Sequence, residues 1–127
     1  MCVPPSQVPM TDPNVQPTPL PPPGTIMRYV ILHHTGIAQP HFDLMIQPPQ
    51  ARALLTWRII SPPGEWPAAQ AERLADHRMV YMTYEGEISG GRGFVKRVGE
   101  GEVIVCEGKS FRLRLTGTIN CEMDLPV

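Results

Sequence analysis

Residues 29–47 read YVILHHTGIAQPHFDLMIQ, and this stretch decides what kind of fold the chain takes. Tyr29–His33 is a continuous apolar run, Thr35-Gly36 opens a loop, and His41–Gln47 resumes as a second apolar run carrying one acid. Two such runs separated by a glycine-containing loop predict neighbouring β-strands. Moving outward, Ala53–Ile60 (ALLTWRII) follows Pro48-Pro49 and is stopped by Pro62-Pro63-Gly64. Further on, Arg78–Tyr84, Gly93–Val98, Glu102–Glu107, Ser110–Leu115 and Thr118–Met123 are strand-like. Glycine-containing turns such as Gly99-Glu100-Gly101 and Gly108-Lys109 separate most of them. Pro67–Ala75 is the one helix-like stretch, with proline at its start and good helix formers behind it. The expected architecture is therefore mostly β, a small closed or partly open β-barrel with one short helix.

The 127 residues allow one domain. Nine of the 16 prolines fall within residues 1–23. Proline fixes φ and lacks the backbone donor, so neither ladder nor helix forms there. Residues 1–25 are expected to be a disordered Pro-rich tail and residues 26–127 the folded domain. No apolar run approaches the ~20 residues of a membrane-spanning helix. The 11 basic and 12 acidic residues nearly balance, and Asp12 is the one charge before Arg28, which leaves the remainder formally neutral. A protein that coats duplex nucleic acid carries a basic surplus, and this chain has none. Between 88 and 114, Arg92, Lys96, Arg97, Lys109, Arg112 and Arg114 face only Glu100, Glu102 and Glu107. That local excess suits contact with a strand end, or equally a solvated strand face. Cys2, Cys106 and Cys121 are odd in number and lack any CxxC. With no basic segment leading into an apolar one at the N-terminus, a reducing cytoplasm is the expectation.

The four histidines carry the chemistry. His33, His34 and His41 lie within nine residues, and His77 follows Asp76. Alternate side chains of a strand share a face, so His41 and Asp43 point together while Phe42 points away. His33 and His34 must face opposite ways, and only one of them joins His41 and Asp43 if the two runs pair. Two imidazoles and a carboxylate form an open-sided site for Mn²⁺, Fe²⁺ or Zn²⁺. Closed structural zinc sites use Cys and His at ligand spacing instead, and none of the cysteines has that spacing. Four residues after His77 comes Tyr81, and on a strand the two would share a face. Such a pair suits phosphate contact or general-acid work.

In this order, His34…His41-Phe42-Asp43…Trp57…Asp76-His77…Tyr81…Glu85-Gly86 resembles the 3′-phosphoesterase domain of bacterial DNA ligase D, and most closely its short stand-alone relatives. The resemblance runs from about Arg28 to about Leu115. It implies a compact β-barrel with a Mn²⁺-dependent site on one side, acting in DNA repair. Such domains remove a terminal ribonucleotide to leave a 3′-phosphate, then hydrolyse that phosphate. The partners implied are nucleic-acid 3′ ends and a separate ligase and polymerase. By position, His34, His41 and Asp43 would hold the metal, and His77, with Tyr81 beside it, would contact the scissile phosphate and protonate the leaving oxygen. The chain departs from the family at three points. The step from His34 to His41 is seven residues, one more than the family's, which keeps His33 open as the ligand. Met45 stands where the family grips phosphate with an arginine. The arginine that precedes the family's Asp-His has no clean counterpart, with Arg73 the nearest, and Arg58, Arg92, Arg112 and Arg114 remain as candidates from other strands. Met45 also supports an alternative: a degenerate, non-catalytic barrel that binds nucleic-acid ends or a protein partner.

Overall fold

The computed structural model describes residues 18–108 and 110–127. Eight strands among them make one antiparallel sheet: β1 (Ile26–Thr35), β2 (His41–Gln47), β3 (Ala53–Ile59), β4 (Ala71–Arg78), β5 (Gly86–Glu87), β6 (Phe94–Cys106), β7 (Phe111–Gly117) and β8 (Cys121–Leu125). Their order is β4-β3-β2-β1-β6-β7-β8, with β5 paired to the start of β6. The sheet curls into a half-barrel, so the class read from the sequence is the class observed.

Alternation along the strands sorts the buried residues into two cores on opposite faces. Met27, Tyr29 and Ile31 of β1 join Leu44, Ile46, Leu55, Trp57 and Ile59, and meet Val103, Val105, Leu113 and Met123 from the far strands. Trp57 of β3 stacks on Phe111 of β7 with ring centroids 5.5 Å apart, tying the two halves of the sheet together across the concave side. Its indole N–H donates to the Pro126 carbonyl at 2.7 Å. Trp66, in a 3₁₀ turn over Pro63–Ala68, joins the same core, and this turn packs on β8. The second core is smaller: Val30, Leu32, Met45, Leu54, Tyr81, Ile88 and Val95. Val30, Leu32, Met45 and Leu54 lie on the opposite face of β1–β3. Met79, Val80, Met82 and Tyr84 pack against this core from the chain that follows β4.

Most of the expected tail, residues 1–17, lies outside the described residues. Residues 18–25 have no regular structure but run against the barrel. Leu20 packs on the larger core, the Thr18 N–H donates to Asp76 Oδ2 at 2.7 Å, and the Gly24 N–H donates to the Val105 carbonyl at 2.7 Å.

Three local expectations are corrected. The segment Pro67–Ala75 is not a helix: the 3₁₀ turn ends at Ala68 and β4 begins at Ala71. A nine-residue helix is marginal in water, whereas β3 has outward N–H and C=O groups that need partners, and β4 supplies them. Residues 79–82 of the expected strand Arg78–Tyr84 form a second 3₁₀ turn, Met79–Met82. Finally, Gly93–Val98 and Glu102–Glu107 are one long strand, because Gly99-Glu100-Gly101 continues the ladder with β1 instead of turning. These glycines serve close approach: a β-carbon at Gly101 would stand 2.0 Å from the Thr116 carbonyl oxygen.

Candidate functional site

β1 and β2 pair in a register that sets His34 directly opposite His41 and Leu32 opposite Asp43. The long His34-to-His41 step is absorbed in the loop, where Gly36 takes φ +74°. His34, His41 and Asp43 therefore share the face of the second core. Each offers one ligand atom, and these atoms lie within 4.8 Å of one another. All three residues are buried. His33 faces the other way, stacked on Phe42 at 4.3 Å and 8°, so the geometry leaves His34 as the histidine of this cluster.

The ring nitrogens are sorted by the backbone. His34 Nε2 lies 2.6 Å from the Arg92 carbonyl, and His41 Nδ1 lies 3.0 Å from the Gln39 carbonyl. A carbonyl only accepts, so each of these nitrogens carries the N–H and donates it. In the neutral rings the lone pairs are then left on His34 Nδ1 and His41 Nε2. Those atoms face the Asp43 carboxylate, at 3.7 Å from Oδ2 and 3.2 Å from Oδ1. Asp43 Oδ1 is buried and has no hydrogen-bond partner. Three acceptors converging in a dry place repel one another unless a proton or a cation lies between them. Burial works to raise the Asp43 pKa, but the His34 and His41 rings outweigh it and hold the carboxyl down to about 2. The same carboxylate pushes the His34 pKa up, against burial. Backbone carbonyls that fix the far nitrogen of each ring are the usual support for metal-ligating histidines. The donor set thus fits a hard-to-borderline divalent ion with open positions.

His77 reaches this face through an irregularity. Thr56 pairs Leu74, but Leu54 pairs His77, so the β3–β4 ladder shifts register between them. The bulge reverses the alternation of β4, and His77 lands on the side of Glu72 and Leu74 rather than of Arg73. There it is buried, and its Nδ1, 2.9 Å from the Ala75 carbonyl, donates to it and leaves Nε2 for other work. Burial pushes the His77 pKa down, opposed by the Ala75 hydrogen bond and the nearby Asp43 charge. Tyr81 is buried in the Met79–Met82 turn, not on a strand, and still meets His77 edge-on with ring centroids 6.4 Å apart. Burial raises its pKa.

Arg73 is separated from this group. Its guanidinium lies over the Trp57 ring, 5.0 Å from the centroid, on the face of the larger core, and approaches Asp76 at 3.6 Å. Met45 is completely buried in the second core, as its floor rather than as a contact for ligand. Arg112 and Arg114 pair with Glu122 and Asp124 of β8 at 2.9–3.2 Å, which makes that part of the basic stretch a solvated strand face. Arg58 stands directly across from Asp43 on β3, so the two share a face. Its Nε is buried without a hydrogen-bond partner, and its Nη1 lies 3.9 Å from the largely exposed Glu72. The β2–β3 connection carried a signal for this placement, since hairpin loop length sets which residues oppose each other. No family model and no curated protein matches the chain.

Proposed function

We propose that this protein is a divalent-metal-dependent phosphoesterase that processes 3′ ends of nucleic acid, taking off the nucleoside of a terminal ribonucleotide and then the 3′-phosphate left behind. The observation that carries the reading is the convergence of His34 Nδ1, His41 Nε2 and the Asp43 carboxylate within 4.8 Å on one buried face, with the far ring nitrogens held by backbone carbonyls. The resemblance to the 3′-phosphoesterase domain of DNA ligase D supplies the reaction. His34, His41 and Asp43 would hold the ion, with Mn²⁺ as the expected metal. A bound divalent ion supplies positive charge against the phosphate oxygens. Hydrolysis of a 3′-phosphate breaks the bond between phosphorus and O3′. Water gives its hydroxyl to phosphorus, and a proton must reach O3′. His77 keeps one proton on Nδ1 against the Ala75 carbonyl, which leaves Nε2 as the atom that carries the transferred one. Tyr81 sets the edge against which that imidazole rests. Free cysteines at 106 and 121 suit a reducing cytoplasm, and a separate ligase and polymerase would act on the trimmed end.

The fully buried Met45 favours a second reading, a barrel that binds ends without cutting them, because no arginine rises from that position. One assay separates the two. The protein is mixed with a labelled primer–template bearing a 3′-ribonucleotide or a 3′-phosphate, with and without Mn²⁺, alongside His41→Ala. Metal-dependent formation of a 3′-hydroxyl that the variant lacks is the expected result. Binding of the end with no product would establish the non-catalytic reading instead.

A further inference from the structure

We propose that Arg58 is the oxyanion-gripping residue of this site, holding a phosphate group beside the His34–His41–Asp43 cluster from the neighbouring strand. The inference rests on the phosphoester reading for the identity of its ligand, and on three features of Arg58 itself. First, Arg58 is the direct cross-strand partner of Asp43, so its side chain leaves the sheet on the same face and at the same level as the cluster. Second, its Nε is buried with no hydrogen-bond partner. A guanidinium nitrogen is a donor with no acceptor capacity, and burying one unpaired is costly. Third, the carboxylate nearest its Nη1 is a loose one: Glu72 is 3.9 Å away and its side chain is 68% exposed. Such a surface pair holds weakly and yields readily to a better anion.

What fits between a divalent ion and an arginine fork is an oxyanion with several free oxygens, and a terminal phosphate meets both at once. A single carboxylate offers only two oxygens. The position is also one that Met45 leaves open. Met45 opposes Thr56 two pairs further along, and both are completely buried, so the solvent-reaching cation on this part of β3 is Arg58.

Calorimetric titration of inorganic phosphate into the Mn²⁺-loaded full chain tests the assignment, using wild type, Arg58→Ala and Arg58→Lys, each first shown to be folded by circular dichroism. Arg58→Ala is expected to keep Mn²⁺ affinity within about twofold while weakening phosphate binding roughly 10- to 100-fold, with Arg58→Lys in between because it keeps charge without the fork. Acetate is expected to bind far more weakly than phosphate. Equal phosphate affinity in wild type and Arg58→Ala, or equal affinity for acetate and phosphate, would overturn the proposal. The end-trimming assay separates this from the wider reading. If wild type binds phosphate through Arg58 but releases no product, the reaction is wrong and the anion contact stands. Should wild type turn over its substrate while Arg58→Ala keeps the same KM and phosphate affinity, the contact is wrong and the reaction stands.

Discussion

The two faces of β1–β3 have been given different jobs. On the concave face the buried residues are apolar or aromatic, and Trp57, Trp66 and Tyr29 send their polar atoms out to backbone carbonyls. On the other face lie all five of the buried polar and charged residues among those described: His34, His41, Asp43, Thr56 and His77. Neighbours one residue apart in the chain follow this division. His33 stacks on Phe42 at the margin of the first face, while His34 points into the second. The lesson is that a two-residue period lets one strand carry an apolar core and a buried polar cluster at once, provided that each face is kept to its own kind of residue. Packing on the concave side then backs the buried His34–His41–Asp43 cluster on the other face.

The sharpest test of this division is to damage the concave face. Trp57→Ala removes the ring that bridges β3 and β7, and is expected to cost about 3–5 kcal/mol in denaturant unfolding. A loss below about 1 kcal/mol would mean that the concave core does not carry the fold. Next in size is Met45→Arg, which sets a charge into the floor of the second face, where Met45 is fully buried. It is expected to destabilise by about 3 kcal/mol and to gain no phosphatase activity. A stable, more active variant would show that this floor opens to the site.

The third effect runs the other way round, sparing stability and removing ligand binding. His41→Ala takes away one ligand atom and leaves the concave core intact. Mn²⁺ at 100 times its Kd should stabilise wild type by about 2.7 kcal/mol, read as a rise in Tm, and should leave the variant unmoved. An equal rise in both proteins would place the ion elsewhere.

How much of this was visible in the sequence depended on the range of the interaction concerned. The sharing of one face by His41 and Asp43 follows from strand period alone, and the β2 bounds fall where the HFDLMIQ run begins and ends. Choosing His34 over His33 needed the β1–β2 register, which a loop of irregular length concealed. His77 meets Tyr81 through a 3₁₀ turn rather than along one strand face, and it owes its own face to a bulge that no local pattern announces. Arg73 is the nearest positional counterpart of the family's arginine, but β3 recruits its segment as a strand and puts the guanidinium over Trp57. Tertiary pairing overrides propensity most easily in short segments like this one.

The smallest expected effect is a pH dependence that arises from the second face, read in chelator-treated protein as the urea midpoint. Asp43 raises the His34 pKa. The folded chain therefore holds that proton more tightly than the unfolded chain, and this contribution is complete below pH 6.5 and lost as pH climbs through the raised value. Burial lowers the His77 pKa. Here the unfolded chain takes up the proton first, so the contribution is complete above pH 6.5 and lost as pH falls toward the depressed value. The two limbs together put maximum stability near pH 6.5, the ordinary histidine value. Asp43, held to about 2, adds a third loss only below the ordinary carboxylate range. His77→Gln should erase the limb between pH 6.5 and the carboxylate range and leave the decline above pH 6.5 in place. A variant that loses both limbs would mean that His77 acts by packing against its neighbours, and that its own titration is not what the wild-type curve reports.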